Sequence, residues 1–126
     1  MWKQRHDFGA GFTVDHQTLL ASTRATAEAH RDKAAKMFAA LARPKPKHDR
    51  YQAQKQLMHA LRFVDFGIQL ARHGAIVDYG VGADWRAELL AVESDEWAVY
   101  AELFEARYRV RVEQLARLCD REAGRS

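Results

Sequence analysis

The sequence predicts an all-α fold, a compact bundle of about four helices with an ordered, glycine-containing loop between the second and third. Only 7 glycines and 2 prolines occur among 126 residues, 48% of which are hydrophobic, a composition typical of globular, helix-rich proteins. Apolar residues also recur at helical spacing along the chain. We therefore expect one helical domain over residues 1–126, with flexible ends at 1–12 and 122–126.

The first helix is predicted to begin near Thr13 or Asp15, since either side chain can cap it, and to run to about Ala42. Pro44 ends this helix because proline disfavours helical geometry in the residue before it. One stripe of apolar residues should face the core: Leu19, Leu20, Ala27, Ala34, Met37, Phe38 and Leu41.

A second helix is predicted to follow the capping residue Asp49, to run to about His73 and to stop at Gly74. Its apolar residues cover most of its circumference, which is typical of a helix buried on several sides. We therefore expect it to be the central helix. The main stripe is Leu57, Leu61, Val64, Ile68 and Ala71, widened by Met58, Phe63, Phe66 and Leu70.

The remaining chain begins with "GAIVDYGVGADW", which holds three of the seven glycines and is predicted to be an ordered loop. Asp84 can cap a short third helix through about Val92. Ser94, Asp95 and Glu96 then suit the start of a last helix, where the helix dipole favours negative charge. Its arginines are interpreted as a solvated face, and its core residues as Trp97, Ala101, Phe104, Tyr108, Val112, Leu115 and Leu118.

Several classes of protein are excluded by composition. The single Cys119 cannot form an internal disulfide, and no Cys/His cluster has the spacing of a zinc site. No apolar run reaches the roughly 18 residues of a membrane span, and the N-terminus lacks the apolar middle of a signal peptide. We therefore expect a cytoplasmic protein with no metal, no cofactor and no membrane partner.

Charge is distributed unevenly along the chain. Residues 1–63 carry 12 Lys/Arg against 5 Asp/Glu, whereas residues 64–126 carry 8 against 12. The positive half contains the linker "ARPKPKHDR", with Arg43, Lys45 and Lys47. Such a basic patch can bind the phosphates of nucleotides or nucleic acids through counterion release. It can equally serve only to keep a small protein soluble, and composition leaves both interpretations open.

The stretch "KQLMHALRF" places Lys55, His59 and Arg62 on a single helical stripe. This stripe either faces water or lines a groove between helices. In a groove the clustered cations would repel one another unless an anion or a carboxylate joined them, and Asp65 could supply part of that balance. The groove hypothesis predicts a phosphate site, with Arg as a bidentate donor, Lys as a point charge and His as a further donor. The stripe continues through Phe66, Gln69 and His73.

Two longer stretches of the sequence resemble a known family. They are "YQAQKQLMHALRFVDFGIQLARHGAIVDYG" and "WRAELLAVESDEWAVYAELFEARYRVRVEQL". They are similar to the C-terminal helical half of the predicted nucleotidyltransferases of the DNA-polymerase-beta superfamily, the RlaP-like group. The similarity spans residues 25–118, and "AEAHRDKAAKMFAAL" occupies the place of the helix that precedes the family's motif. The matching positions are Lys55, His59, Arg62, Gly67, Gly74, Ile76, Val77 and Asp78.

The resemblance implies that the helical half packs against a catalytic sheet and helps to hold a nucleotide or acceptor RNA, with Lys55, His59 and Arg62 facing phosphate. The family's catalytic elements have no counterpart in this sequence. Gly9-Ala10-Gly11 precedes no serine, and no Asp-x-Asp or Asp-x-Glu pair follows a strand pattern to hold Mg²⁺. The leading hypothesis is therefore a non-catalytic module that binds phosphate or docks on a catalytic subunit. A homodimer would equally cover the face that packs on the sheet.

Two alternatives remain. The first is a small protein-interaction or inhibitor module, for which Trp2, Trp85, Trp97 and four tyrosines supply aromatic surface. The second is an RNase of the HEPN type, whose Arg-x(4–6)-His motif is matched by Arg24 with His30 and by Arg43 with His48. Chance alone gives about two such matches in a chain of this composition. His30 also falls on the apolar stripe of the first helix, so we interpret it as a core histidine.

Overall fold

A computed structural model describes residues 15–124 of the chain, with the side chains of residues 15–120. In that range the chain forms four helices and no strand: α1 (His16–Ala40), α2 (Arg50–His73), α3 (Ala83–Leu90) and α4 (Trp97–Gly124). Helix α2 packs against each of the others, and α1 also packs against α4. The predicted all-α bundle and the central position of the second helix are confirmed.

Helix α1 begins after Asp15, whose carboxylate accepts the backbone N–H groups of Gln17 and Thr18 at 3.1 and 3.2 Å. It ends at Ala40, two residues before the predicted end, in a turn in which the Arg43 N–H donates to the Ala40 carbonyl at 3.1 Å. Thr13 and the predicted flexible segment 1–12 lie outside the described residues. At the other end α4 continues to Gly124. The flexibility of 122–126 stays a prediction, and residues 125–126 lie outside the described residues.

Helix α2 has both of its predicted ends. The Asp49 carboxylate accepts the Gln52 N–H at 2.8 Å, and the Gln52 side chain accepts the Asp49 N–H at 2.9 Å. This reciprocal pair is a capping box. At the C-terminal end Gly74 takes the left-handed conformation (φ 74°), and its N–H donates to the Leu70 carbonyl.

The start of α3 differs from the prediction. Its N-cap is Gly82 (φ 99°), which offers no side-chain oxygen, and Asp84 lies inside the first turn instead of capping it. The helix ends at Leu90, before the predicted Val92. The first backbone N–H groups of α3 therefore have no side-chain cap.

The core is formed by apolar residues of all four helices. The main stripe predicted for α2 is buried, and the buried Gln54 donates from its amide to the Leu89 carbonyl at 3.2 Å and to the Tyr100 hydroxyl at 3.0 Å. Phe63 was predicted to widen this stripe, but it is 42% exposed, because two residues of a helix turn it about 160° away from the buried Leu61. Its ring stacks on the half-buried His30 at the edge of the α1–α2 contact. The fully buried large side chains include Leu57, Leu61, Val64, Leu89, Tyr100, Phe104 and Leu115.

The buried stripe of α4 is rotated slightly from the predicted one. Tyr100 and Cys119 are fully buried although neither was assigned to the core, whereas Ala101 and Val112 are only half-buried. The Tyr100 hydroxyl donates to the Ser94 carbonyl at 2.5 Å, so its burial leaves no unpaired polar atom.

Three helices meet at Gly67 of α2. A Cβ atom placed there would lie 2.9 Å from Thr23 Oγ1 on α1 and 3.5 Å from Leu115 Cδ2 on α4. The absence of a side chain at Gly67 therefore allows the close approach of α1 to α2. None of the described helices has a stretch that is both long and apolar enough to span a lipid bilayer.

Candidate functional site

An open groove of about 250 Å³ lies between the outer face of α2 and the segment that enters α3. We call it the α2–α3 groove. Three of the six predicted phosphate-binding residues, Lys55, His59 and Arg62, line it together. The remaining lining residues are Tyr51, Met58, Tyr79, Gly80, Val81, Gly82, Ala83 and Arg86.

The far wall of the groove is the predicted ordered loop, and side chains of α2 hold it in place. Gln69 uses both atoms of its amide: Oε1 accepts the N–H groups of Val77 and Asp78 at 2.8 Å, and Nε2 donates to the Asp78 carbonyl at 3.0 Å. Arg62 Nη2 donates to the Tyr79 carbonyl at 2.6 Å. The polar stripe of α2 therefore positions the loop as well as lining the groove.

The cations of the groove come from two helices. The Arg62 guanidinium lies 5.2 Å from the centre of the Phe66 ring, and four of its five N–H groups are not needed for the bond to the loop. Lys55 is exposed and lies 5.6 Å from the centre of the Tyr51 ring. Arg86 reaches the groove from α3, so cationic groups border it on both sides.

The expected counter-charge from within α2 is not there. Asp65 was predicted to balance the cations, but its carboxylate accepts from Arg111 Nε on α4 at 3.0 Å. Three residues of an α-helix rotate the side chain about 60° away from Arg62, which turns Asp65 towards α4. Among the described residues that line the groove there is no carboxylate.

Burial and neighbouring positive charge both act on the pKa of His59. Its pKa is lowered because burial disfavours the charged imidazolium, and because His30, Lys55 and Arg62 repel it. The His30 and His59 rings lie 5.8 Å apart, and His30 Nδ1 is 2.8 Å from the Gln56 side-chain oxygen. His59 is therefore neutral at pH 7, and an anion in the groove would favour its protonation.

The N-terminus of α3 adds a second kind of positive charge. Gly82 and Ala83 line the groove, and the N–H groups of this first turn, at the positive end of the helix dipole, have no side-chain cap. The acidic Asp84 lies in the same turn and offsets part of the dipole. Sequence reasoning missed this feature because it assigned the cap to Asp84. It also missed Arg86, whose place in the groove depends on how α3 packs on α2.

The linker cations lie elsewhere. Lys47 lines a separate depression together with Asp49, and this depression also holds the ion pair between Arg50 Nε and Asp95 Oδ1 at 2.7 Å. Arg43 and Lys45 are exposed in the linker and are not among the residues that line the α2–α3 groove. The structure thus brings three of the six predicted residues into one site.

Of the two Arg–His matches to an HEPN nuclease, Arg43 with His48 lies in the linker and Arg24 with His30 on α1. Arg24 and His30 are six residues apart, so their side chains point in directions about 120° apart around the helix axis. Arg24 instead pairs with Glu28 at 3.6 Å. In the part of the chain that the structure describes, no group of three or more His, Cys, Asp or Glu side chains could hold a metal ion.

No protein-family model, curated protein or solved structure was found to match this chain. Its function is therefore inferred from the geometry of the groove. Guanidinium, ammonium, imidazole and backbone N–H groups are all donors suited to the oxygens of a phosphate.

Proposed function

We propose that this protein is a non-catalytic helical module that binds a phosphate group of a nucleotide or nucleic acid in the α2–α3 groove. One observation carries the proposal: Lys55, Arg62, Arg86 and His59 meet around one open groove whose described lining contains no carboxylate. Like charges gathered in this way repel one another, and a bound anion removes the repulsion.

Arginines elsewhere in the bundle support this interpretation by contrast. Arg111 and Arg107 are half-buried, whereas Lys55, Arg62 and Arg86 are exposed. Each of the two half-buried arginines has an acidic partner, Asp65 and Glu88 respectively. These ion pairs balance charge within the chain. At the α2–α3 groove the balancing charge would come from the ligand.

Phosphate is the anion that suits the groove best. A guanidinium offers two parallel N–H groups to two phosphate oxygens, and a lysine adds a mobile point charge. The uncapped start of α3 offers backbone N–H groups to the same ligand. The relation to nucleotidyltransferases is part of the proposal and rests on the sequence resemblance. In that setting the groove would hold a substrate phosphate for a separate catalytic subunit.

Tripolyphosphate, which has no base, tests the phosphate site directly. In ¹H–¹⁵N spectra we expect shifts of the amides at Lys55, His59, Arg62 and 80–84, with binding that weakens steeply between 50 and 200 mM salt. Lys55→Ala combined with Arg86→Ala should weaken binding at least about tenfold, since each loses a charge-assisted contact. Arg109→Ala on α4 is the matched control and should change it less than about twofold.

Arg62→Ala separates binding from folding at the same site. It should weaken tripolyphosphate binding while lowering the free energy of unfolding by about 1 kcal/mol, the value of its hydrogen bond to the Tyr79 carbonyl. Urea denaturation measures the second quantity. Unfolding of this variant would make Arg62 a structural residue. Equal losses in Arg109→Ala would refute the groove, and a salt-independent interaction with a protein would favour the interaction-module alternative.

A further inference from the structure

Two exposed tyrosines stand at the α2–α3 groove. Tyr79, in the loop, is 60% exposed, and Tyr51, in the first turn of α2, is 42% exposed. The Tyr79 backbone is held by Arg62, and its ring meets the Phe66 ring edge-on at 6.0 Å. The Tyr79 ring is therefore fixed at its base while much of it remains accessible, which a phosphate site alone does not require.

A second depression continues the positive surface beyond Lys55. It measures about 240 Å³, lies between α1 and α2, and shares Lys55 with the α2–α3 groove. No carboxylate occurs among the described residues that line either of them. The other residues of the second depression are Lys33, Met37, His48, Gln52 and Gln56.

The two depressions form one track over the outer face of α2, with Arg62, Lys55 and Lys33 along it. Arg86 borders the stretch between Arg62 and Lys55, because the neighbouring Trp85 donates from its indole N–H to the Leu57 carbonyl. From Gln52 to Arg62 the helix rises about 15 Å. One strand of B-DNA has a phosphate every 3.4 Å along the axis, so this length spans at most about four phosphates. The track is thus longer than one phosphate group requires and suits several phosphates in a row.

We infer that the ligand is a single-stranded nucleic acid that runs along this track, with its phosphates at the cations and a base stacked on Tyr79. The inference rests on the proposed phosphate site and extends it to a ligand class. Proteins that bind single strands combine a cationic path with aromatic side chains on which unpaired bases stack. A duplex keeps its bases stacked inside and cannot offer one to the Tyr79 ring.

The test compares three labelled 12-mers by fluorescence anisotropy at 50 mM salt: single-stranded oligothymidylate, an abasic strand with the same number of phosphates, and a duplex. Oligothymidylate should bind at least about fivefold more tightly than either competitor, the lower end of what one stacked base contributes. Tyr79→Leu should remove most of this preference, so that its loss of affinity for oligothymidylate exceeds its loss for the abasic strand. The control is Phe63→Leu, a 42% exposed aromatic that is not among the residues lining the groove, and this variant should bind all three like the wild type.

Lys33→Ala tests the length of the track. It should weaken oligothymidylate binding about threefold or more without changing tripolyphosphate binding in the groove, since it lies beyond Lys55. Lys36→Ala, an exposed lysine one turn further along α1, is its control. Equal losses in the two lysine variants would refute the track.

The outcomes distinguish this inference from the proposed function. If the abasic strand or the duplex binds as tightly as oligothymidylate, the inference fails while the phosphate site stands. If a polyglutamate peptide binds as tightly, the ligand is an acidic protein and the inference also fails. If tripolyphosphate causes no amide shifts in the groove, the proposed function fails with it.

Discussion

The two faces of α2 have opposite relations to the rest of the chain. On the inner face Leu57, Leu61 and Val64 are fully buried, and even the polar Gln54 has its amide bonded to groups of the chain itself. On the outer face Lys55 and Arg62 are exposed beside an open groove. The inner face is complete within the molecule, whereas the outer face gathers cations around a groove whose described lining has no carboxylate.

The boundary between the faces shows that the difference is not a matter of charge alone. Asp65, on the side of α2 that meets α4, is half-buried, and its pKa is raised because burial outweighs the attraction of Arg111. Ionised groups on that side are thus paired even at a cost in hydration. Asp65, which faces another helix, has a partner of opposite charge, whereas the cations that face the groove have no carboxylate among its described lining residues.

The largest loss of stability is expected from a substitution that disrupts the inner face. Leu61→Ala should lower the free energy of unfolding by about 2–5 kcal/mol, because Leu61 is fully buried and its truncation opens a cavity. Urea denaturation followed by circular dichroism measures the loss. The control on the same helix is Phe63→Ala, which removes a larger but 42% exposed side chain and should cost less than about 1.5 kcal/mol. A loss below about 1 kcal/mol for Leu61→Ala would contradict the assigned core.

The next largest loss of stability is expected from a substitution at Gly67, where α1 and α2 are in close contact. Gly67→Ala places a methyl group 2.9 Å from Thr23 Oγ1, and overpacking of this kind costs about 1–3 kcal/mol, offset by up to about 1 kcal/mol of helix propensity. Thr23→Ala in the same chain should restore part of the loss, which a double-mutant cycle measures. Gly74→Ala is the control, since its loss arises from φ 74° with no contact within 4 Å and should not respond to Thr23→Ala. Additive effects at 23 and 67 would rule out the close contact.

The features that could be predicted from the sequence are those with a local chemical cause. Asp15, Asp49 and Gly74 act within a few residues of themselves, so their roles follow from residue type and position. The burial of Leu57 and Leu61 follows from helical spacing in the same way. The single stripe of Lys55, His59 and Arg62 is also a consequence of spacing, and it could be stated before the loop opposite was known.

The features that could not be predicted depend on packing between elements. Gly82 caps α3 without any side chain, so nothing in the sequence distinguished it from the nearby Asp84. The partner of Asp65 lies 46 residues away, and helical spacing on α2 cannot reveal it. Arg86 likewise enters the groove only because α3 packs on α2. These contacts decide which cations are balanced and therefore which ones can bind a ligand.

The smallest expected effect concerns His59 on the outer face and depends on pH. Because its pKa in the folded protein is lowered, the unfolded chain takes up the proton first, and stability should fall as the pH decreases below about 6.5. A bound phosphate attracts the imidazolium, so oligothymidylate affinity should instead rise as the pH falls from 7.5 to 5.5. The gain is at most about tenfold for each unit by which the ligand raises this pKa.

Oligothymidylate suits this measurement because its phosphodiesters do not titrate in this range, so anisotropy titrations at several pH values follow the protein's own groups. His59→Gln should flatten both dependences, since glutamine keeps a donor without the proton equilibrium. His73→Gln, at the exposed end of α2, should leave both pH dependences as in the wild type.

His30 and Lys55 contribute to the lowered pKa of His59, so His30→Gln should shift the midpoint of the pH dependence upward while keeping its slope. An unchanged pH dependence of affinity in His59→Gln would mean that the imidazole does not meet the ligand, and that the outer face binds through Lys55, Arg62 and Arg86 alone.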